Sequence, residues 1–309
     1  MEMKNASDKS SYLNASIMII TAAILWGMLG LFTRSLYSEG FTAIQLTTFR
    51  CLITCIFLLL YILCTDWKKL KIKVTDLRYF FCMGLFSIVF FNICYFTTIR
   101  LSTLATASIL LYTAPYFTVS ISFLIFREPL TFRKTISLIL SFLGCILAIG
   151  IDKGSLQVTT ILFGLGSGFG YSLFSILGRA ISNRYHPLTI NFYTFMIAYL
   201  CIFPFSDMNA AIKLVSNHPF TIGNILPLGI VSTAIPFLLY TSGLKTVEAG
   251  KASIMAFTEP LVSSLIGVLI FKEPFTKKNL FGLLLITTSL CLLNSRKVDS
   301  HTASRKKDL

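Results

Sequence analysis

Charge is scarce in this sequence, and negative charge is scarcest. Of 309 residues, 13% are Asp, Glu, Lys or Arg, with 13 carboxylates against 27 Lys and Arg. Soluble domains carry about 25% charged residues, so an ordinary water-facing surface cannot be built from this chain. Histidine occurs only as His186, His218 and His301, with no helical metal pair and no HExxH, so no metal site is expected. Eight cysteines (Cys51, Cys55, Cys64, Cys82, Cys94, Cys145, Cys201 and Cys291) contain no CxxC pair. They signal neither zinc nor a disulfide framework. The sequence also lacks GxSxG, the phosphate-binding GxxxxGK and the dinucleotide GxGxxG. The Gly-rich stretch Gly164–Gly168 lies inside an apolar run with no strand before it, which excludes a phosphate loop. No enzyme activity and no cofactor are expected.

What is abundant is apolar surface: 55% of residues are hydrophobic, and 28 are Phe. A soluble fold could not hide so much; a bilayer can. A membrane helix needs about 20 consecutive apolar residues. Such runs are read at Asn14–Thr33, Thr42–Cys64, Leu77–Thr98, Leu104–Phe126, Phe132–Ile151, Thr159–Leu177, Leu188–Phe205, Ile222–Ser242, Lys251–Phe271 and Lys278–Leu293. The expectation is an all-α integral membrane protein with ten transmembrane helices. No small-residue cleavage site follows the first run, which is therefore read as a retained helix rather than a signal peptide.

The segment Ala107–Leu147 returns without a gap 145 residues later as Ala252–Leu292, with about fifteen of some forty positions identical. Thr113, Pro115, Phe126, Glu128, Pro129 and Thr131 recur as Thr258, Pro260, Phe271, Glu273, Pro274 and Thr276. Such self-similarity marks a duplicated unit. Five spans per copy is an odd number, so the second copy enters the membrane from the opposite side. The halves are inverted repeats, residues 1–151 and 159–296, followed by a tail, 297–309, with Asp152–Val158 as the joint and Gly154 its flexible point. In both Glu-Pro loops, proline stops one helix and the following threonine can cap the next, a structural reading taken ahead of a gating role.

The net charge of +14 is read as orientation rather than nucleic-acid binding. With the N-terminus inside, the cytoplasmic loops hold Lys68, Lys69, Lys71, Lys73, Arg78, Arg127, Arg133, Lys134, Arg179, Arg184, Lys245 and Lys251. The outer face holds Arg34, Arg100, Lys153, Lys213, Lys272, Lys277 and Lys278. An excess of Lys and Arg marks the cytoplasmic side, so both termini are expected there, in the plasma membrane, with the surplus also attracting anionic headgroups.

Charged groups within a bilayer cost about 2.5–3.5 kcal/mol at mid-span. Glu259, just before Pro260, is the one carboxylate deep in a span. Three readings stay open: a proton carrier, which makes protons a candidate coupling ion; a counter-charge for a substrate amine; or a hydrogen-bonded structural carboxyl. Pro260 is expected to free the Ala256 carbonyl beside it. Arg50, the one cation well inside a span, could meet a substrate carboxylate or pair with Glu259, but is read mainly as structural, satisfying carbonyls at a helix contact or snorkelling outward. Paired prolines in corresponding spans point to a cavity between the halves. Ser108, Leu111 and Tyr112 share one helical face near Pro115, and Ala252, Met255, Ala256 and Glu259 another near Pro260. Asn92, Tyr95, Pro236 and Tyr240 add polar or aromatic groups at membrane depth. Trp26-Gly27 is echoed as Phe169-Gly170. The substrate-pathway set is therefore Trp26, Asn92, Tyr95, Ser108, Tyr112, Pro115, Tyr240, Met255, Glu259 and Pro260.

Ten spans in two inverted halves, Trp26-Gly27, Arg50 and the motifs ending in Glu128-Pro129 and Glu273-Pro274 resemble the EamA family of the drug/metabolite transporter superfamily. The likeness is strongest over Tyr79–Gly150 and Leu226–Asn294. The glycine usual in the last helix of each half is present as Gly144 but is Ser289 in the second copy. The resemblance implies a secondary carrier with its pathway between the halves, and export of amino acids or related metabolites. The chain is thus read as moving a small organic solute by alternating access, without ATP of its own. The alternatives are a nucleotide-sugar or other metabolite carrier of the same superfamily, and a channel. A channel would want a ring of filter groups, and no repeated carbonyl-rich loop occurs. A membrane-embedded enzyme would want a catalytic cluster at membrane depth, and none is read.

Overall fold

The computed structural model describes residues 2–149, 157–274 and 276–294. The joint around Gly154, the tail 297–309, Lys153 and His301 lie outside these. Among the described residues there is no strand, and nine segments are long and apolar enough to cross a membrane. They are α1 (Ser10–Ser38), α2 (Ala43–Thr65), α3 (Val74–Leu101), α4 (Leu104–Phe126), α5 (Phe132–Ile149), α6 (Val158–Ile181), α7 (Pro187–Phe205), α8 (Pro219–Gly243) and α9 (Ala249–Leu269). The tenth, α10 (Lys277–Asn294), is diluted by Lys277, Lys278 and Asn279 at its start, and it packs along α5.

The two halves share irregularities as well as sequence. A π-helical turn interrupts α3 at Met83–Phe90 and α8 at Ile230–Ala234. Single π turns inside α-helices are frequent at functional sites. Helix α4 breaks between Leu111 and Ala114, and α9 between Met255 and Thr258. Each proline thus sits in the first turn of a new segment, where its missing N–H removes no helical bond. The expected free carbonyl at Ala256 is not free: it accepts from the Glu259 N–H at 2.9 Å. The break itself supplies the donor that an unbroken kinked helix would have lost.

Helix α1 leaves its own half to pack on α8 and α9, and α6 packs on α3 and α4 in the same way. In lipid, helices gain little from burying apolar surface against one another, so contacts rely on close approach and hydrogen bonds. The α5–α10 seam uses both. A Cβ on Gly282 would lie 2.5 Å from the Gly144 carbonyl oxygen, which fixes glycine there. At the symmetry-related point, Ser289 donates to the Ser137 carbonyl at 2.7 Å and shares a hydrogen bond with Ser141. Serine at the second copy's glycine position therefore replaces close approach with hydrogen bonding.

The connection Ser206–Thr221 contains a helix at Met208–Asn217. The Asp207 carboxylate caps it by accepting from the Ala210 N–H at 3.3 Å. Ala211, Met208, Leu214 and Val215 pack against Leu36, Phe41 and Leu228. Its ten residues are too few and too polar to register as a span.

Candidate functional site

One end of the bundle is closed and the other holds a cavity. At the closed end the Glu128 carboxylate accepts from the backbone N–H groups of Ala249 and Gly250, at 2.9 and 3.1 Å. Lys134, 1% exposed, lies 3.0 Å from Glu248 and 3.6 Å from Glu128. Burial pushes the Glu248 carboxyl up, but its hydrogen bond to Lys134 and the charge of Lys251 outweigh this and hold it below the ordinary carboxylate value. On the same side Asp76 receives Arg184 at 3.1 Å and the Tyr185 hydroxyl at 2.7 Å. These contacts tie the first half to the second.

Toward the other end lies a cavity of about 690 Å³ walled by α1, α2, α3, α4, α6, α8 and α9. Tyr37, Ala43, Ile99, Arg100 and Leu104 line it where these helices end. Deeper in, its walls are aromatic: Trp26, Phe91, Tyr95, Tyr112, Tyr171 and Phe237. Glu259 and Arg50 both face it, half-buried.

Several polar groups of the wall are held by hydrogen bonds. Arg50 donates through Nε to the Thr233 hydroxyl at 2.9 Å, and Thr233 donates to the Leu228 carbonyl at 2.8 Å. The π turn of α8 thereby orients the guanidinium. Glu259 and Tyr112 share the cavity wall, and the Tyr112 ring packs on Phe257 with centroids 5.7 Å apart. Asn92 donates to the Ile88 carbonyl at 2.6 Å and accepts from Thr47 at 3.3 Å. The Tyr95 hydroxyl and Ser108 share a hydrogen bond at 3.1 Å. Trp26 is 6% exposed, and its indole N–H has no hydrogen-bond partner among the described residues.

Of the residues singled out from sequence, Trp26, Asn92, Tyr95, Ser108, Tyr112 and Glu259 line this cavity. Pro115, Tyr240, Met255 and Pro260 do not. Tyr240 shares a hydrogen bond with Ser175 at 2.7 Å and packs behind Trp26. Met255 is fully buried in the same core, and Pro115 and Pro260 are buried in their helix breaks. Arg50, read as mainly structural, has both a structural bond and a place on the wall. The echo of Trp26 is also corrected. Phe169 is 40% exposed and packs on Phe117, whereas Tyr171, 145 positions after Trp26, lines the cavity. Sequence reasoning passed over Tyr37, Thr47, Arg100 and Tyr171; extending the ungapped offset back into the first helix would have found Tyr171.

A bundle of inverted halves around a largely aromatic cavity that carries a few charged groups and opens toward one end is the architecture of a membrane transporter. The model of the EamA-like transporter family matches residues 13–150 and again 158–295. An uncharacterized transporter of Archaeoglobus fulgidus is 30% identical over 61% of this chain and 66% of its own length, about two thirds of that relative. YwfM of Bacillus subtilis, named an uncharacterized transporter, is 23% identical over 93% of this chain and 96% of its own. YicL of Salmonella typhimurium, named an uncharacterized inner membrane transporter, is 24% identical over the same shares, 93% and 96%. A solved crystal structure superposes with a TM-score of 0.75 at 20% identity, covering 91% of this chain and 96% of that one, which supports the fold. The chain belongs to the EamA-like transporter family and is a multi-pass membrane transporter.

Proposed function

We propose that this transporter is a secondary carrier that moves a small organic solute by alternating access, exporting amino acids or related metabolites across the cell membrane. The observation that carries this reading is that the carboxylate of Glu259 and the guanidinium of Arg50 share the wall of an aromatic cavity of about 690 Å³. A zwitterion offers an ammonium to the first and a carboxylate to the second, and the rings receive an apolar side chain. The volume falls in the range of about 300–1,000 Å³ usual for small-molecule sites. Each buried charge then has a partner in the loaded state, which offsets part of its cost at membrane depth. Protons are the proposed coupling ion, because Glu259 is the carboxyl that meets whichever aqueous phase the cavity opens to. The Lys and Arg surplus supports cytoplasmic termini, and on that reading the conformation described here faces outward.

A second reading has a specific observation behind it. Arg100 also lines the cavity, giving it a second cation beside Arg50. That favours an anionic metabolite, nucleotide sugars included. A panel of radiolabelled amino acids, organic anions and nucleotide sugars on proteoliposomes, with and without an imposed proton gradient, decides between the two. Saturable counterflow of a zwitterion supports the first reading, and counterflow confined to anions the second. Flux without saturation or counterflow would mean a channel and defeat both.

A further inference from the structure

Two arginines and two glutamates at the ends of the bundle form matched sets. Arg34 and Arg179 are 145 positions apart, and so are Glu128 and Glu273. The glutamate loops have the same geometry. Arg127 and Lys272 are both left-handed at φ 54. The Glu128 N–H donates to the Ser122 carbonyl at 3.3 Å, and the Glu273 N–H to the Gly267 carbonyl at 3.0 Å. Their side chains, however, have different partners.

At the closed end Glu128 caps Ala249 and Gly250, while Arg179 donates to the carbonyls of Leu244 and Lys245. At the cavity end Glu273 meets Arg34 in an exposed pair at 2.9 Å. The N–H groups of Leu104 and Ala105, which stand 145 positions before Ala249 and Gly250, have no hydrogen-bond partner among the described residues. Ile99 and Arg100, which stand 145 before Leu244 and Lys245, line the open cavity. One end thus has its set assembled, and the other has the same parts separated.

From this asymmetry we infer that Glu128 and Glu273 are alternating latches, each closing its own end of the pathway by capping a helix of the opposite half. When the Glu128 end opens, Glu273 leaves Arg34 to accept from the Leu104 and Ala105 N–H groups. Arg34 then turns to the Ile99 and Arg100 carbonyls, and Arg179 becomes the partner of Glu128. The energetics set the direction. A carboxylate accepting two buried N–H bonds is a strong interaction, whereas an exposed ion pair contributes little. Which glutamate is capped therefore decides which end is shut. The second-half counterpart of Lys134 is Asn279, so the Glu273 latch lacks a buried cation and is the weaker of the two. That agrees with the Glu128 latch being the one closed here.

The inference rests on alternating access, and its test needs no substrate. In the full chain without native cysteines, Gly30→Cys reports on the cavity end, where a Cβ meets nothing within 4 Å. Ser253→Cys, buried beyond the Glu128 cap, reports on the other end. A membrane-impermeant thiol reagent is applied to each face. Glu273→Gln should slow labelling of Ser253→Cys about tenfold and leave Gly30→Cys fully reactive, because the state that needs the Glu273 cap is lost. Glu128→Gln should do the reverse. The latches are overturned if Glu273→Gln leaves the Ser253→Cys rate at the parental value, or if both variants shift labelling the same way. Should Glu128→Gln fail to fold because Lys134 is left buried without that carboxylate, the exposed Glu273→Gln decides alone. A parent protein in which Ser253→Cys is never labelled does not alternate at all, and both the latches and the carrier reading fall. A parent that labels at both ends with indifferent variants removes the latches only.

Discussion

The rings of Trp26 and Tyr171, 145 positions apart in the chain, meet edge-on with centroids 6.4 Å apart. Corresponding residues of the two halves therefore touch at the cavity, with Glu259 on the second half and Arg50 on the first. The asymmetry of the site lies in its charges. The residue 145 before Glu259 is Ala114, and the residue 145 after Arg50 is Phe195; neither duplicate carries charge. The scaffold is doubled while the polar chemistry is not.

Orientation is open to direct measurement. On the proposed orientation, with both termini in the cytoplasm, Thr276→Cys in a cysteine-free chain should react with an impermeant thiol reagent on intact cells. Thr131→Cys should react only after permeabilisation, since the Lys and Arg surplus marks its side as cytoplasmic. The opposite pattern would invert the proposed direction of the cavity.

Tyr112→Phe separates the hydroxyl from the ring. The ring contact with Phe257 is kept, while the hydroxyl on the cavity wall that would donate to Glu259 during transport is removed. Hydrogen bonds to charged groups are worth about 1.5–3 kcal/mol, so kcat/KM for transport should fall about tenfold or more. Thermal stability in detergent should change little. An unchanged kcat/KM would show that Tyr112 only fills space.

Most of the fold was legible because the bilayer imposes one rule, that long apolar runs become helices. Glu259 and Tyr112 were legible because a charge before a proline and an aromatic on the repeat face are exceptions to that rule. Tyr240 and Met255 looked equally suitable by type and depth. They fail to reach the cavity because helix rotation, set by the packing of α8 and α9 on α1, turns them into the core. Arg100 and Tyr37 were missed because they sit near span ends, where a polar tip is ordinary snorkelling. The helix breaks at Tyr112 and Ala256 satisfy backbone groups that a simple proline kink would leave open.

The closed end should depend on pH through Glu248. Its folded-state value lies below the ordinary carboxylate value of 4.5. A depressed carboxyl contributes stability that is complete above the ordinary value and is lost as pH falls through the lower, folded one. The contact with Lys134 should thus persist through neutral and mildly acidic pH and weaken only below pH 4.5. Labelling of Ser253→Cys from the closed end should be flat above that pH and rise below it. Glu248→Gln should abolish the rise. A rise centred near neutrality would assign the dependence to another group.

Glu259 is the residue on which the proposed mechanism depends most. Gln at this position keeps the shape but cannot titrate. If Glu259 carries the proton, Glu259→Gln abolishes accumulation driven by a proton gradient and spares exchange of substrate for substrate, because exchange returns the carrier loaded and moves no net proton. If Glu259 instead holds a substrate ammonium, the same change weakens both assays, by about tenfold or more for the loss of one charge-assisted hydrogen bond. Arg50→Gln then adds a second comparison: it should weaken binding of a zwitterion under either role, through the carboxylate. Transport that persists in Glu259→Gln with its pH dependence unchanged would remove this residue from the mechanism. Recognition would then rest on Arg50, Arg100 and the aromatic walls, which is the arrangement an anionic substrate requires.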